Sequence, residues 1–432
     1  MKRILIISPY FPPVNAADMQ RVRMSLPYFK AFGWEAEVVT VDEKKVDMAK
    51  DPLLLESIPD QIPVHRVSAF SKKWTSWFGL GSIALRSLWF YRKKVNALLR
   101  DRHYDLIYFS TTQFPVCILG PYWKRKFKVP YIIDMQDPWH SNYYEDKPKN
   151  ERPKKYWFSY RLHKYLEPIA MKKVDGLMSV SAAYIKTLKE RYPNLENIPY
   201  KVITFGANAL DFEIARINDE QLRLYFNSTG EQTNLVYVGR GGYDMRDAIT
   251  ILFKALKKGL DEHFDLFKTV HMHFIGTSYA PGGTGTQTLY PVANELKIAG
   301  HVSEQTDRIG FYESIKQLLN ADGLIIIGSN DSAYTASKVY PYILAQKPLL
   351  AIFNESSSAA KIITDCKAGD LITFNQNEET AYQVLTAYLN KVKNNQSVST
   401  DFTAFEPYTA SFLTKVQVNL FNEVIHAIPK NI

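Results

Sequence analysis

The sequence predicts an α/β protein with two doubly wound parallel sheets in one chain. Three observations predict it. A chain of 432 residues is longer than one hydrophobic core ordinarily supports, so two domains of roughly 200 residues each are expected. Short, uniformly apolar runs alternate with helix-like stretches, as strands covered by helices on both faces must. The runs also fall into two series with a break between them.

The first series reads ILIISP (4–9), EAEVVTV (35–41), DLIYFS (105–110), YIIDM (131–135) and GLMSVS (176–181). The second reads NLVYVGR (234–240), HMHFIG (271–276), GLIIIGS (323–329), PLLAIF (348–353) and DLITF (370–374), with helical periodicity at Ala248–Lys258 and Glu313–Asn320. Between the series, ITFGANALDFE (203–213) carries Gly206 and Asn208 and is the expected hinge. The run from Pro407 to Ile428 reads as a long amphipathic helix with no strand after it. The expected division is a first domain over 1–208, completed by a C-terminal helix over 408–432, and a second over 209–407. No internal repeat or low-complexity tract is present.

Composition narrows the function. No stretch reaches the roughly 18 apolar residues of a spanning helix, and Met1-Lys2-Arg3 leads directly into a strand, so a cytoplasmic protein is expected. Cys117 and Cys366 are far apart and have no metal-ligand spacing, so they read as small buried hydrophobes and no metal is expected. Charge is uneven: residues 1–210 hold 34 Lys+Arg against 20 Asp+Glu, a net of +14, and the remainder 19 against 24, a net of −5. The basic runs Lys72-Lys73, Arg92-Lys93-Lys94, Lys124-Arg125-Lys126 and Lys154-Lys155 are interleaved with Trp74, Trp77, Trp89, Trp123 and Trp157. Basic residues mixed with aromatics suit an anionic membrane surface, so peripheral attachment to the inner face of a cell membrane is a further expectation. Residues 70–100 concentrate this pattern and allow two readings, a membrane-contacting segment or an ordinary helix packed on the first sheet. No nucleic-acid recognition motif is present, so no nucleic acid is expected.

Candidate chemistry gathers at strand ends, because ligands of doubly wound sheets bind beyond the carboxyl ends of the strands. After Ile4–Ser8 comes Pro9-Tyr10-Phe11-Pro12-Pro13, then Asn15, Ala16 and Ala17, then a helix carrying Arg21 and Arg23. Small residues let backbone approach a phosphate, and a helix N-terminus favours negative charge. Asp137 ends an apolar strand before Pro138, with Asp134 and His140 nearby. A carboxylate there suits a reacting centre or merely caps a helix, and a histidine can relay a proton or donate a hydrogen bond. The remaining histidines, including His271 and His273, lack metal spacing and read as structural. SYAPGGTGTQTLYPVANEL (278–296) is glycine-rich but lacks a P-loop's Gly-Lys-Ser/Thr ending.

YFPP, the small-residue loop and RVRMSLPYFKAFGWEAEVVTVD resemble the opening of glycosyltransferase family four, the large retaining nucleotide-sugar-dependent group. Further matches keep the family's order: DMQDPW (134–139), SVSAAYIKTL (179–188), FGANALDF (205–212), NLVYVGR (234–240) and RIGFYESIKQLLNADGLIIIGS (308–329). The resemblance implies a GT-B fold, two Rossmann-like domains facing each other across a cleft, with acceptor on the first and nucleotide sugar on the second. The acceptor it implies is a glycan or a lipid-linked glycan precursor. It assigns Arg240 and Arg246 to the donor diphosphate, with Gly239, Gly241 and Gly242 letting backbone approach. Ala16, Ala17, Gly310 and Phe311 are further donor positions, and Arg21, Asp134 and His140 lie on the acceptor or sugar side. Glycosyl transfer needs cations or backbone donors on the leaving diphosphate.

One departure stands out. SNDSAYTASKVYPYILAQKP (329–348) aligns with the family's paired-glutamate motif, which places the glutamates at Ala333 and Pro341. What remains there is Tyr334, Thr335, Ser337 and Lys338, so the resemblance implies a divergent member in which Lys338 holds the diphosphate. Asp137, Arg240 and Lys338 are the expected catalytic residues. Two alternatives stay open: a nucleotide-sugar 2-epimerase on the same fold, and a non-catalytic GT-B scaffold or binding protein, which the missing glutamates favour.

Overall fold

The computed structural model describes residues 1–140, 145, 148–149, 152, 156–228, 230–332 and 337–427. The chain divides into two compact units, Met1–Phe205 with Ala410–Ile432, and Gly206–Thr409. Each is a parallel sheet wrapped by helices.

The first unit contains β1 Lys2–Ile7, β2 Trp34–Val41, β3 Val64–Val67, β4 Leu106–Ser110, β5 Tyr131–Met135, β6 Gly176–Ser179 and β7 Tyr200–Val202. They lie in the order β3-β2-β1-β4-β5-β6-β7, with β1 in register against β2 (Ile4 opposite Ala36) and β4 (Ile4 opposite Leu106). Its helices are α1 Gln20–Phe29, α2 Lys72–Thr75, α3 Ile83–Asp101, α4 Leu119–Phe127, α5 Tyr156–Met171 and α6 Ala182–Arg191. The second unit has β8 Thr233–Val238, β9 Val270–Ile275, β10 Val302–Gln305, β11 Gly323–Ile327, β12 Leu349–Phe353 and β13 Asp370–Thr373, in the order β10-β9-β8-β11-β12-β13. Its helices are α7 Ala209–Ile217, α8 Arg246–Glu262, α9 Phe264–Phe267, α10 Tyr290–Glu295, α11 Phe311–Asn320, α12 Val339–Leu344, α13 Ser358–Asp365, α14 Glu378–Lys393 and α15 Phe402–Phe405. In both sheets the chain reverses direction of growth beside the first strand, between β1 and β4 and between β8 and β11, which opens a crevice at the carboxyl edge.

Three strands differ from the sequence reading: β3, β7 and β10 were not expected. All three are sheet edges. An edge strand faces water on one side, so VHRV, YKV and VSEQ are not apolar throughout and fall outside the pattern that marks a central strand.

The last helix, α16 Ala410–Ala427, returns to the first unit for a packing reason. It buries Val418, Leu420, Phe421 and Val424 in the cluster formed by Ile4, Ile6, Trp34, Leu106, Tyr108 and Ile132. The Phe421 ring lies 5.6 Å from Trp34 and 5.2 Å from Tyr108. Gly176 is needed beneath it, because a Cβ there would meet Val424 Cγ2 at 2.6 Å. Lys2 Nζ donates to Asn422 Oδ1 at 2.6 Å, and Gln417 Nε2 donates to Ser25 Oγ at 2.8 Å. Cys117 and Cys366 are free and buried.

Candidate functional site

In the second unit, chemistry gathers where β8 ends. Tyr342 on α12 fixes that end: its hydroxyl accepts from the Val238 N–H at 2.7 Å and donates to the Val238 carbonyl at 3.2 Å. The start of α12, with Lys338 as its N-cap, is thereby held beside Gly239. A Cβ on Gly239 would lie 2.8 Å from Lys338 Nζ and 2.7 Å from Tyr237 Oη, so glycine lets the ammonium approach the strand end. Although Lys338 as a whole is exposed, desolvation of its ammonium, with the like charges of Arg308 and Arg240, lowers its pKa to about 8. Three cations thus share one edge. Arg240 is folded onto Asp244 by two bonds, 2.8 and 2.6 Å, which hold the Asp244 carboxyl below its ordinary range. Arg308 stacks over Tyr279 at 5.1 Å.

Other expected donor residues divide. Gly310 caps α11, its N–H donating to Glu313 Oε2 at 2.9 Å, with half-buried Phe311 following. Ser337 is exposed. Tyr334, Thr335 and Ala333 lie outside the described residues. Arg246 does not join the cluster: it begins α8 and pairs with Glu295 at 3.1 Å. Gly241 is closely packed. Its N–H bonds the Thr277 carbonyl at 2.9 Å, and a Cβ would meet Leu289 Cδ1 at 2.9 Å. The glycine-rich segment is tethered by buried Glu304, which accepts from Thr277 Oγ1 (2.7 Å), Leu289 N–H (2.9 Å) and Tyr290 N–H (2.8 Å). His271 and His273 lie in β9, and His273 is bonded to Ser303 and Asn234, each at 2.9 Å. A wider hollow of about 660 Å³ lies by the ends of β12 and β13, lined by Ser332, Ser357, Lys361 and Thr373.

In the first unit, Ala16 is buried and Ala17 exposed in the loop after β1. Arg21 and Asp134 are 3% and 0% exposed and pair with each other, Nε to Oδ2 at 2.6 Å. The same Oδ2 accepts from Gln136 Nε2 (2.9 Å), Ser110 Oγ (3.1 Å) and Tyr108 Oη (3.3 Å), while Arg21 Nη2 reaches the Ile203 carbonyl at 2.7 Å. Arg21 and Asp134 therefore tie α1 to the sheet interior. Asp137 is exposed at the carboxyl edge beyond β5, its pKa raised by partial desolvation and by the charge of Asp18. His140 is buried against Tyr160, ring centroids 4.6 Å apart. Burial, aided by Arg191 and Lys164, lowers its pKa to about 4, so the imidazole is neutral near pH 7. A hollow of about 210 Å³ lies at the same edge, lined by Tyr10, Asp47, Lys72, Ser82, Arg86 and Gln113. Among the described residues, no group of three or more His, Cys, Asp or Glu is placed to hold a metal ion.

No family model matches the sequence, and no curated protein matches it. Solved structures do match over the whole chain. The structure of Anabaena HepE in complex with UDP and glucose is similar at 15% identity and a TM-score of 0.57, covering 98% of this chain and 100% of that one. Sucrose-phosphate synthase of Thermosynechococcus elongatus matches at 12% identity and 0.55, covering 99% and 100%. The UDP-forming α,α-trehalose-phosphate synthase of Burkholderia xenovorans matches at 10% and 0.58, covering 97% and 100%. The fold is GT-B.

Two residues of this GT-B chain escape the sequence reading. Arg308 opens the quoted segment RIGFYESIKQLL, but nothing in its spacing marks it as a neighbour of Lys338. Asp18 is buried in the loop beyond β1, accepting from Thr111 Oγ1 and Thr112 N–H, each at 2.9 Å, and burial raises its pKa. Its position one residue past Ala16-Ala17 was the available signal.

Proposed function

We propose that the chain is a glycosyltransferase of family four that moves a sugar, with retention of configuration, from a nucleoside-diphosphate sugar to a glycan or lipid-linked glycan precursor. The first unit takes the acceptor and the second the donor. The observation that carries this reading is the approach of Lys338 Nζ to Gly239 at the reversal point beside β8, with Arg240 next in the chain and the charge of Arg308 felt at the same ammonium. A nucleoside-diphosphate leaving group gains negative charge as the glycosidic bond breaks, and cations already in place stabilise that charge without reorganisation. A Lys ammonium desolvated among guanidiniums gains most when a diphosphate arrives to neutralise the cluster.

Further support comes from HepE, solved with UDP and with UDP-glucose, and from the UDP-forming trehalose-phosphate synthase. In this reading Asp137, exposed with a raised pKa, takes the sugar side, and neutral His140 supplies a hydrogen bond rather than a charge. Pro341 offers no carboxylate to the ribose, so donor affinity rests on the diphosphate and base. The same residue favours a second reading, a GT-B protein that binds a nucleotide without transfer.

The test is to incubate the protein with a panel of nucleotide sugars and extracted lipid-linked glycans. Release of nucleoside diphosphate with sugar appearing on the acceptor is the expected result, with the anomeric configuration read by NMR. Binding without release across the panel gives the second reading, and an inverted product removes the family-four assignment.

A further inference from the structure

We propose that the first unit docks on an anionic lipid bilayer through an aromatic arm made of α2, the following turn Ser76–Phe78 and the first half of α3. The proposal rests on the transferase reading only in naming where a lipid-linked acceptor would be met. Trp74 and Trp77 are 79% and 88% exposed, and Trp89 is 54% exposed. Large aromatic surface left in water is costly, and a contiguous patch of it marks an interaction site. Ring contacts join the α3 side of the arm, and α5 lies against its turn. Phe70 and Trp89 pack on the same ring, Phe90, each at 4.9 Å. Gly79 lies against α5, where a Cβ would sit 3.0 Å from Phe158 Cδ1, and the neighbouring Trp157 is 64% exposed.

The charge beside these rings selects the partner. Residues 70–100 contain seven Lys or Arg and no Asp or Glu; Arg86 is buried and Lys72 pairs with Asp47 at 2.9 Å, which leaves five others. Lys93 sits 5.5 Å over the Trp89 ring and Arg161 sits 5.6 Å over Trp157. Tryptophan with flexible cations around it matches a bilayer interface, where the ring enters the headgroup boundary and the cation meets anionic lipid. The packed side of the same segment is ordinary: Ile83, Ala84, Tyr91, Val95 and Leu98 of α3 are buried. The packed face of residues 70–100 is thus that of an ordinary helix on the first sheet.

The arm also borders the hollow at the carboxyl edge. Lys72, which opens α2, lines it together with Ser82 and Arg86 at the start of α3. Docking through Trp74 and Trp77 would bring that hollow against the headgroup layer, where the polar head of a membrane-anchored acceptor lies.

The experiment is flotation of the full chain with vesicles of zwitterionic lipid alone or mixed with anionic lipid, at low and high salt. Binding to anionic vesicles should exceed binding to zwitterionic ones by about tenfold and fall as salt shortens the Debye length. Trp74→Ala with Trp77→Ala should reduce it by about tenfold or more, and Lys72→Gln with Lys73→Gln should flatten the salt dependence. Because Trp74 and Trp77 are exposed, their removal should leave the melting midpoint unchanged, and stabilisation by nucleotide sugar should be unchanged. Flotation indifferent to lipid charge or to the double tryptophan variant overturns the proposal, as does tryptophan-dependent self-association in sedimentation, which would assign the face to a second copy. Loss of nucleotide binding with flotation intact would instead count against the transferase reading alone.

Discussion

Donor affinity should fall as pH rises through 8, and Lys338 alone should cause it. The perturbation is pH, from 7 to 9, with a nucleotide sugar as ligand because its diphosphate does not titrate there. The ammonium pKa is lowered to about 8 in the free protein by desolvation and by Arg308 and Arg240. A bound diphosphate favours the charged form and raises that pKa, so binding takes up a proton above pH 8 and is weakened as protons become scarce. With a free-state pKa near 8, the protonated fraction drops from about 0.9 at pH 7 to about 0.1 at pH 9, so affinity should fall roughly tenfold, or about 1.4 kcal/mol. Titration calorimetry at several pH values, in two buffers of different ionisation enthalpy, measures both affinity and proton uptake. Lys338→Arg should keep the pH 7 affinity to within a few fold and flatten the profile, since a guanidinium stays charged throughout. A flat profile in the wild type, or the same slope in Lys338→Arg, would refute the placement of Lys338 on the diphosphate.

Other perturbations separate structural from functional roles. Arg21→Ala should destabilise the protein by about 3–5 kcal/mol, because it leaves Asp134 buried without its cation; a urea midpoint within error of wild type would contradict the pairing. Phe421→Ala should cost about 3–5 kcal/mol through the cavity left between Trp34 and Tyr108, read by thermal or urea unfolding. Arg240→Ala should weaken nucleotide-sugar binding by about 1.5–3 kcal/mol, the worth of a hydrogen bond to a charged group, with the urea midpoint unchanged. Arg246→Ala should leave binding unaltered, since Arg246 is not among the charges felt at the Lys338 ammonium.

Central strands were legible because burial on both faces makes ILII, LIYF, GLIII and LLAIF uniformly apolar. Three of the four edge strands were not, since VHRV, YKV and VSEQ obey no such constraint, whereas the edge strand β13 was read as DLITF. Arg240 and Lys338 are proposed from position, one just beyond a strand and the other before a helix. The partners of other charges were not legible: spacing does not reveal that Glu295 on α10 pairs with Arg246, and Arg21 and Asp134, 113 positions apart in numbering, read as two free groups until the sheet brings Asp134 against α1. Arg308 was hidden for the opposite reason, since only the fold sets it beside Lys338.

The most direct measurement is equilibrium binding of a nucleotide-sugar panel to the wild type and to Arg308→Ala at pH 7. At least one nucleotide sugar should bind the wild type and raise its melting midpoint. The same ligand should bind Arg308→Ala at least tenfold more weakly, with the apo protein's midpoint unchanged. Equal affinity in the two proteins, or no binding by the wild type at millimolar ligand, would contradict a diphosphate site formed by Arg240, Arg308 and Lys338.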